Sequence, residues 1–170
     1  MITILSGTNR SSANSFVLAK YYQEKLEAQG EQTQILDLDT LPADFIVSAL
    51  YENQGKNEVF NGFVETIKAS EKIIMVVAEY NGSFPGVLKA FIDGMPYPEG
   101  FQRKKFALVG LSAGTQGAAL ALSHLTDILN YLGGFVYPLK VRLPIFSAES
   151  LKKGAYDKLI EEQLTGLTEF

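Results

Sequence analysis

Apolar and polar positions alternate along this chain in two kinds of run. ITILS (2–6) and TQILDL (33–38) are short, β-rich apolar segments. KIIMVVA (72–78) and KFALVGLS (105–112) are apolar almost without interruption, as in strands covered on both faces. FVYPLKV (135–141) reads as a fifth strand. Between these runs the apolar spacing changes to that of helices. VLAKYYQEKLEAQG (17–30) reads as a helix ending at Gly30. NEVFNGFVETIKASE (57–71) places Val59, Phe60, Phe63, Val64 and Ile67 on one helical stripe. PGVLKAFIDGM (85–95) opens with proline in its first turn. GAALALSHLTDILNYLGG (117–134) stops at two glycines, and LKKGAYDKLIEEQLTGL (151–167) is a last amphipathic helix. Residues 40–56 read as loop, short helix or both.

Five strands alternating with helices predict a three-layer α/β fold. Its core is a five-stranded, doubly wound parallel sheet in the order 2-1-3-4-5, with helices on both faces. At this length that order fits better than a six-stranded dinucleotide fold. No repeat, low-complexity tract or linker interrupts residues 1–170, so one domain is expected. In such sheets a ligand sits beyond the carboxyl ends of the strands, where the winding reverses. The informative segments are therefore SGTNRSSANS (6–15), EYNGSFPG (79–86) and SAGTQG (112–117).

Composition narrows the chemistry. The chain of 170 residues is 46% hydrophobic and 20% charged, which suits a folded globule. With 15 basic and 19 acidic residues its net charge is −4, against broad nucleic-acid binding. Absent cysteines exclude disulfides and thiolate chemistry. No apolar run approaches the roughly 20 residues of a membrane span. Nor does the N-terminus carry a secretion pattern, so neither a membrane nor a nucleic-acid partner is expected and a cytoplasmic location is. With His124 the sole histidine, any mechanism that needs two is excluded.

Each loop supports more than one reading. A helix beginning near Asn14 or Ser15 offers free N–H groups and a positive dipole end. Thr8, Ser11, Ser12 and Ser15 add hydroxyls, and Arg10 adds a planar fork suited to phosphate oxygens. The same loop also reads as a capping segment, with Asn14 or Ser15 as cap and Arg10 in solvent. It is neither a Walker loop nor a G-x-G-x-x-G turn. EYNGSFPG reads as a strand-to-helix turn, or as backbone presented to a flat ring. GLSAG (110–114) matches the nucleophile elbow of serine hydrolases. His124, however, lies about 18 Å down the following helix at about 1.5 Å per residue, out of reach of Ser112. His124 and Asp127 are too few for a metal site, and His124 is expected to be partly buried or interfacial. Phe60, Phe63, Phe91, Phe101 and Phe106 read as core or subunit interface.

Together GTNRSSANS (7–15), AEYNGSFPGVLKAFIDG (78–94) and SAGTQGA (112–118) resemble the NAD(P)H-dependent FMN reductase family of the flavodoxin-like superfamily. The likeness spans the chain in the family's order, and the middle block is its most specific part. It implies a flavodoxin-like fold. It also implies that Thr8, Arg10, Asn14 and Ser15 bind the FMN phosphate. Glu79, Tyr80, Asn81 and Gly82 would run beside the isoalloxazine ring, with Glu79 acting through its backbone and Tyr80 bordering the nicotinamide or the acceptor. Ser112, Ala113, Gly114, Gln116 and Gly117 match the loop beside the flavin on strand four. Lys89 and Asp93 match helix positions of structural or interfacial kind. Ala78, Ala90, Gly94 and Ala118 depart from the family's proline, asparagine, tryptophan and second glycine, and Thr126 stands where many relatives have arginine. The implied reaction takes a hydride from NADPH or NADH and passes electrons to a small-molecule acceptor such as a flavin, quinone or azo compound. The cofactor carries that chemistry, so no catalytic side chain is implied. Homodimers or homotetramers are the family's assemblies. Two rivals remain: a flavodoxin-type FMN carrier without NAD(P)H oxidation, and a non-enzymatic interaction domain on the same fold.

Overall fold

In the computed structural model, which describes residues 1–170, four strands carry the sheet. They are β1 (Ile2–Ser6), β2 (Thr33–Asp37), β3 (Lys72–Ala78) and β4 (Lys105–Leu111). They pair in parallel in the order β2-β1-β3-β4. The helices are α1 (Asn14–Ala28), α2 (Phe45–Ser48), α3 (Glu58–Ala69), α4 (Gly86–Gly94), α5 (Ala119–Tyr131), α6 (Ala148–Lys152) and α7 (Asp157–Glu169). Alternate strand residues point to opposite faces, which divides the core in two. Ile4, Ile74, Val76 and Val109 pack with Leu18, Tyr22 and Leu26 of α1 and with Ile160, Leu164 and Leu167 of α7. Leu5, Met75, Val77 and Leu108 pack on the other side with residues of α3, α4 and α5. All five phenylalanines singled out above lie in that second core, which decides for core over interface.

The expected fifth strand is two. β5 (Phe135–Val136) and β6 (Val141–Leu143) both pair in parallel with β4, so the sheet has six strands in the path β2-β1-β3-β4-β5, with β6 beside β4. Pro138 accounts for the break, because proline lacks the N–H that a ladder needs. The chain leaves β4 after the Tyr137 N–H bonds the Phe106 carbonyl at 2.7 Å. It returns where Val141 faces Val109. Gln163 satisfies the excursion, its amide donating to the Leu139 carbonyl at 2.8 Å and to the Leu108 carbonyl at 2.9 Å.

The last helix also differs from its reading. The apolar pattern over 151–167 is divided into α6 and α7 around Gly154, whose φ of +67° suits glycine. Residues 40–56 hold α2 between single 3₁₀ turns at Leu38–Thr40 and Tyr51–Asn53. The chain has no helix long and apolar enough to cross a membrane.

Candidate functional site

Beyond the carboxyl ends of β1, β3 and β4 the three loops enclose a cleft of ≈ 230 Å³. One wall is the first loop and the start of α1. Thr8, Arg10, Asn14 and Ser15 line it, together with Ser12 and Ala13. The N-cap of α1 is Ala13, which makes no side-chain cap, and the first turn has no acidic residue. Neither Asn14 nor Ser15 is the cap, although Arg10 faces solvent as the capping alternative had it. No intramolecular acceptor meets the backbone N–H groups of Thr8 through Ser15. Arg10 is exposed and belongs to no ion pair. Free donors, a helix dipole and an unpaired guanidinium converge here, and the one carboxylate in the lining, that of Glu79, is turned to the Ala118 N–H. That is the electrostatics of an anion cradle, and it fits the phosphate of a mononucleotide.

The second loop forms the facing rim. Asn81 (φ +51°) and Gly82 (φ +75°) are both left-handed, as in the two-residue turns that join twisted strands. The Tyr80 N–H donates to the Ser83 carbonyl at 2.8 Å, and the Ser83 N–H returns the bond at 3.0 Å. This turn aims Tyr80 back across the cleft, where its hydroxyl meets Thr8 Oγ1 at 3.0 Å. Glu79 and Tyr80 line the cleft, whereas Asn81 and Gly82 shape the turn outside it. Glu79 is tied to its neighbours by both backbone and side chain. Its N–H is taken by the Leu111 carbonyl at 3.0 Å, and its Oε2 accepts the Ala118 N–H at 2.9 Å. The carboxylate thus ties β3 to the start of α5. His124 is exposed, not partly buried, and its Nδ1 lies 3.0 Å from Ser83 Oγ.

Ser112 and Ala113 of the third loop line the cleft; Gly114, Gln116 and Gly117 do not. The Ser112 hydroxyl donates to the Gly114 carbonyl at 2.8 Å and accepts the Gly117 N–H at 2.9 Å, so it braces the turn that those glycines make. With both partners on the backbone, it has no base to activate it as a nucleophile.

Phe146 also lines the cleft and was missed in the sequence. Its N–H donates to the Ser112 carbonyl at 2.9 Å, bringing in the segment after β6. The rule that sites gather at strand carboxyl ends points there too, once β6 is known to end at Leu143. Ala78 and Leu111, the last residues of β3 and β4, complete the wall.

Residues 1–146 match the family model described as NADPH-dependent FMN reductase. An NAD(P)H-dependent FMN reductase from Pseudomonas aeruginosa is 36% identical over 115 residues, 62% of this chain and 61% of that protein. A 2-hydroxy-1,4-benzoquinone reductase of a Burkholderia species is 38% identical over 78 residues, 44% of this chain and 43% of that protein. The chain spans less than two thirds of the length of these two curated relatives. Among solved structures, the flavoenzyme NAD(P)H:(acceptor) oxidoreductase FerB of Paracoccus denitrificans superposes with a TM-score of 0.78 at 23% identity. That match covers 98% of this chain and 94% of FerB, and it shows the shared fold. With a family match that takes in all three loops and a sheet that places them around one anion cradle, the chain belongs to the NADPH-dependent FMN reductase family.

Proposed function

We propose that residues 1–170 act as one FMN-binding domain that oxidises NADPH or NADH and passes the electrons to a small-molecule acceptor, a flavin, a quinone or an azo compound. The observation that carries this reading is the uncapped start of α1 with the unpaired Arg10 beside it. Names among the relatives support the reaction class, an FMN reductase and a quinone reductase. When bound, FMN supplies the ring that takes the hydride and releases electrons.

The protein binds and orients. Thr8, Arg10, Asn14 and Ser15 hold the phosphate through N–H, hydroxyl and guanidinium donors. Glu79 to Gly82 form one side of the ring site, and Ser112, Ala113, Gly114, Gln116 and Gly117 form the other. Glu79 fixes the spacing between these two sides through its bond to the Ala118 N–H. Tyr80, bonded to Thr8, borders the space left for the nicotinamide or the acceptor. The chain works in the cytoplasm as a homodimer or homotetramer. The solvent-facing Tyr97 (74% exposed) and Tyr131 (82% exposed), on the groove between α4 and α5, support such pairing.

The deciding experiment adds FMN to the purified protein and then NADPH under nitrogen. Bound flavin that bleaches supports the reductase. Flavin that binds and stays yellow with NADPH and NADH alike assigns the chain to electron carriers. Absence of flavin binding removes the cradle.

A further inference from the structure

A second groove, of ≈ 350 Å³, runs between α5 and the edge strand β6. Val141 and Leu143 of β6 point into the core beneath α1 and α7. The pleat therefore turns Lys140 and Arg142 to the opposite side, toward α5, where Ser123, Thr126 and Asp127 also line the groove. Neither cation is in an ion pair. Two free cations facing one groove make a local positive field on a chain of net charge −4. The Thr126 hydroxyl donates to the Leu122 carbonyl at 2.7 Å, whereas the Ser123 hydroxyl has no intramolecular partner.

This groove adjoins the flavin cleft. A Cβ on Gly117 would stand 3.0 Å from Arg142 Cβ, and the Gly117 N–H donates to Ser112, which lines the cleft. Only the turn from Ala113 to Gly117 separates the two. A dinucleotide whose nicotinamide lies in the cleft is long enough to carry its phosphates past that turn.

We infer that Lys140 and Arg142, with Ser123 beside them, form a second anion site that takes the phosphate groups at the adenosine end of NADPH or NADH. The inference rests on the proposed oxidation of NAD(P)H. The shared ligand chemistry is a phosphate ester, supplied either by the 2′-phosphate, present in NADPH alone, or by the diphosphate common to both. Arg142 supplies the forked donor, Lys140 the point charge and Ser123 a hydroxyl. Asp127 opposes them, its carboxylate limiting how strongly the groove draws anions.

The test is calorimetric titration of the FMN-loaded full chain with adenosine 2′,5′-bisphosphate and, separately, with ADP. Lys140→Gln, Arg142→Gln, the double variant and Asp127→Asn are compared with wild type. Each loss of a charge-assisted contact should weaken binding about tenfold, and Asp127→Asn should tighten it. A loss confined to the bisphosphate assigns the groove to the 2′-phosphate; an equal loss for ADP assigns it to the diphosphate. Wild-type affinity for both compounds in the double variant, or no binding by wild type, overturns the site. Flavin bleaching by NADPH is read apart from these titrations, so failure of the hydride reading and failure of the groove are separate results. Unchanged far-ultraviolet circular dichroism and FMN content show that these substitutions leave the fold in place.

Discussion

Arg10 and Gly110 show how single residues shape the cleft in opposite ways, one by charge and the other by lacking a side chain. Arg10 has no intramolecular partner, so under the proposed phosphate role Arg10→Ala removes a charge-assisted contact without disturbing the fold. FMN affinity should fall about ten- to a hundredfold, the equivalent of about 1.5–3 kcal/mol, as measured by fluorescence titration. An unchanged affinity would discard the phosphate assignment. Gly110 acts sterically: a Cβ there would stand 2.7 Å from Ala118 Cβ and 2.8 Å from the Gly117 carbonyl. Gly110→Ala must push the third loop outward, and such overpacking costs about 1–3 kcal/mol. Urea denaturation should show that loss together with weaker FMN binding. The departures from the family's pattern have local reasons of the same kind. Gly94 stands where the resemblance would place a tryptophan, and a Cβ there would stand 2.5 Å from the ring of Phe60, which occupies the space instead. Ala118 replaces a glycine at φ +63°. The left-handed conformation costs alanine about 1 kcal/mol, against which stands the burial of its methyl in the core.

Among the elements, the end of the sheet is where sequence and structure part. The buried runs 72–78 and 105–112 were legible because strands covered on both faces leave no other pattern. β5 and β6 were not, since FVYPLKV contains enough β-formers to hide the consequence of Pro138. Nor was the compensation visible. Gln163 falls on the same stripe as Ile160, Leu164 and Leu167, yet it is fully buried and supports two carbonyls. Its carbonyl also accepts the buried Tyr22 hydroxyl at 2.8 Å, joining α7 to α1. Gln163→Ala would leave these polar groups without partners, at about 1–3 kcal/mol for each unsatisfied group. Denaturant midpoints should fall by more than a simple core truncation predicts, and Gln163→Met should not restore them. The site was legible for the opposite reason. Thr8, Arg10, Tyr80 and Ser112 sit in short loops whose positions the strand order dictates. Phe146 escaped because its place depends on where β6 ends.

On the scale of the whole molecule, the charges that join distant segments determine the response to acid. Asp157 is held below the ordinary carboxyl range by a hydrogen bond from Tyr21, with Lys25 adding to the effect, and this cluster pins α7 to α1. Glu71 is lowered by its bond to Lys105, across the start of the sheet. A carboxyl whose folded value is depressed contributes stability that is present above its unfolded value, about 4. That contribution is lost as pH falls through the folded value. Asp37 works in the other direction: burial raises its carboxyl, so acid relieves a cost at the end of β2. The two lowered groups predict a melting temperature that is steady near neutral pH and falls below about pH 4, with Asp37 working against that fall. Because Asp157 and Glu71 face solvent, the electrostatic part of that fall should shrink in high salt. Asp157→Asn separates the contributions, since it removes the α1–α7 share and leaves that of Glu71. A melting curve for this variant with the wild-type acid slope would show that Tyr21 and Lys25 hold α7 no more tightly than its apolar face does.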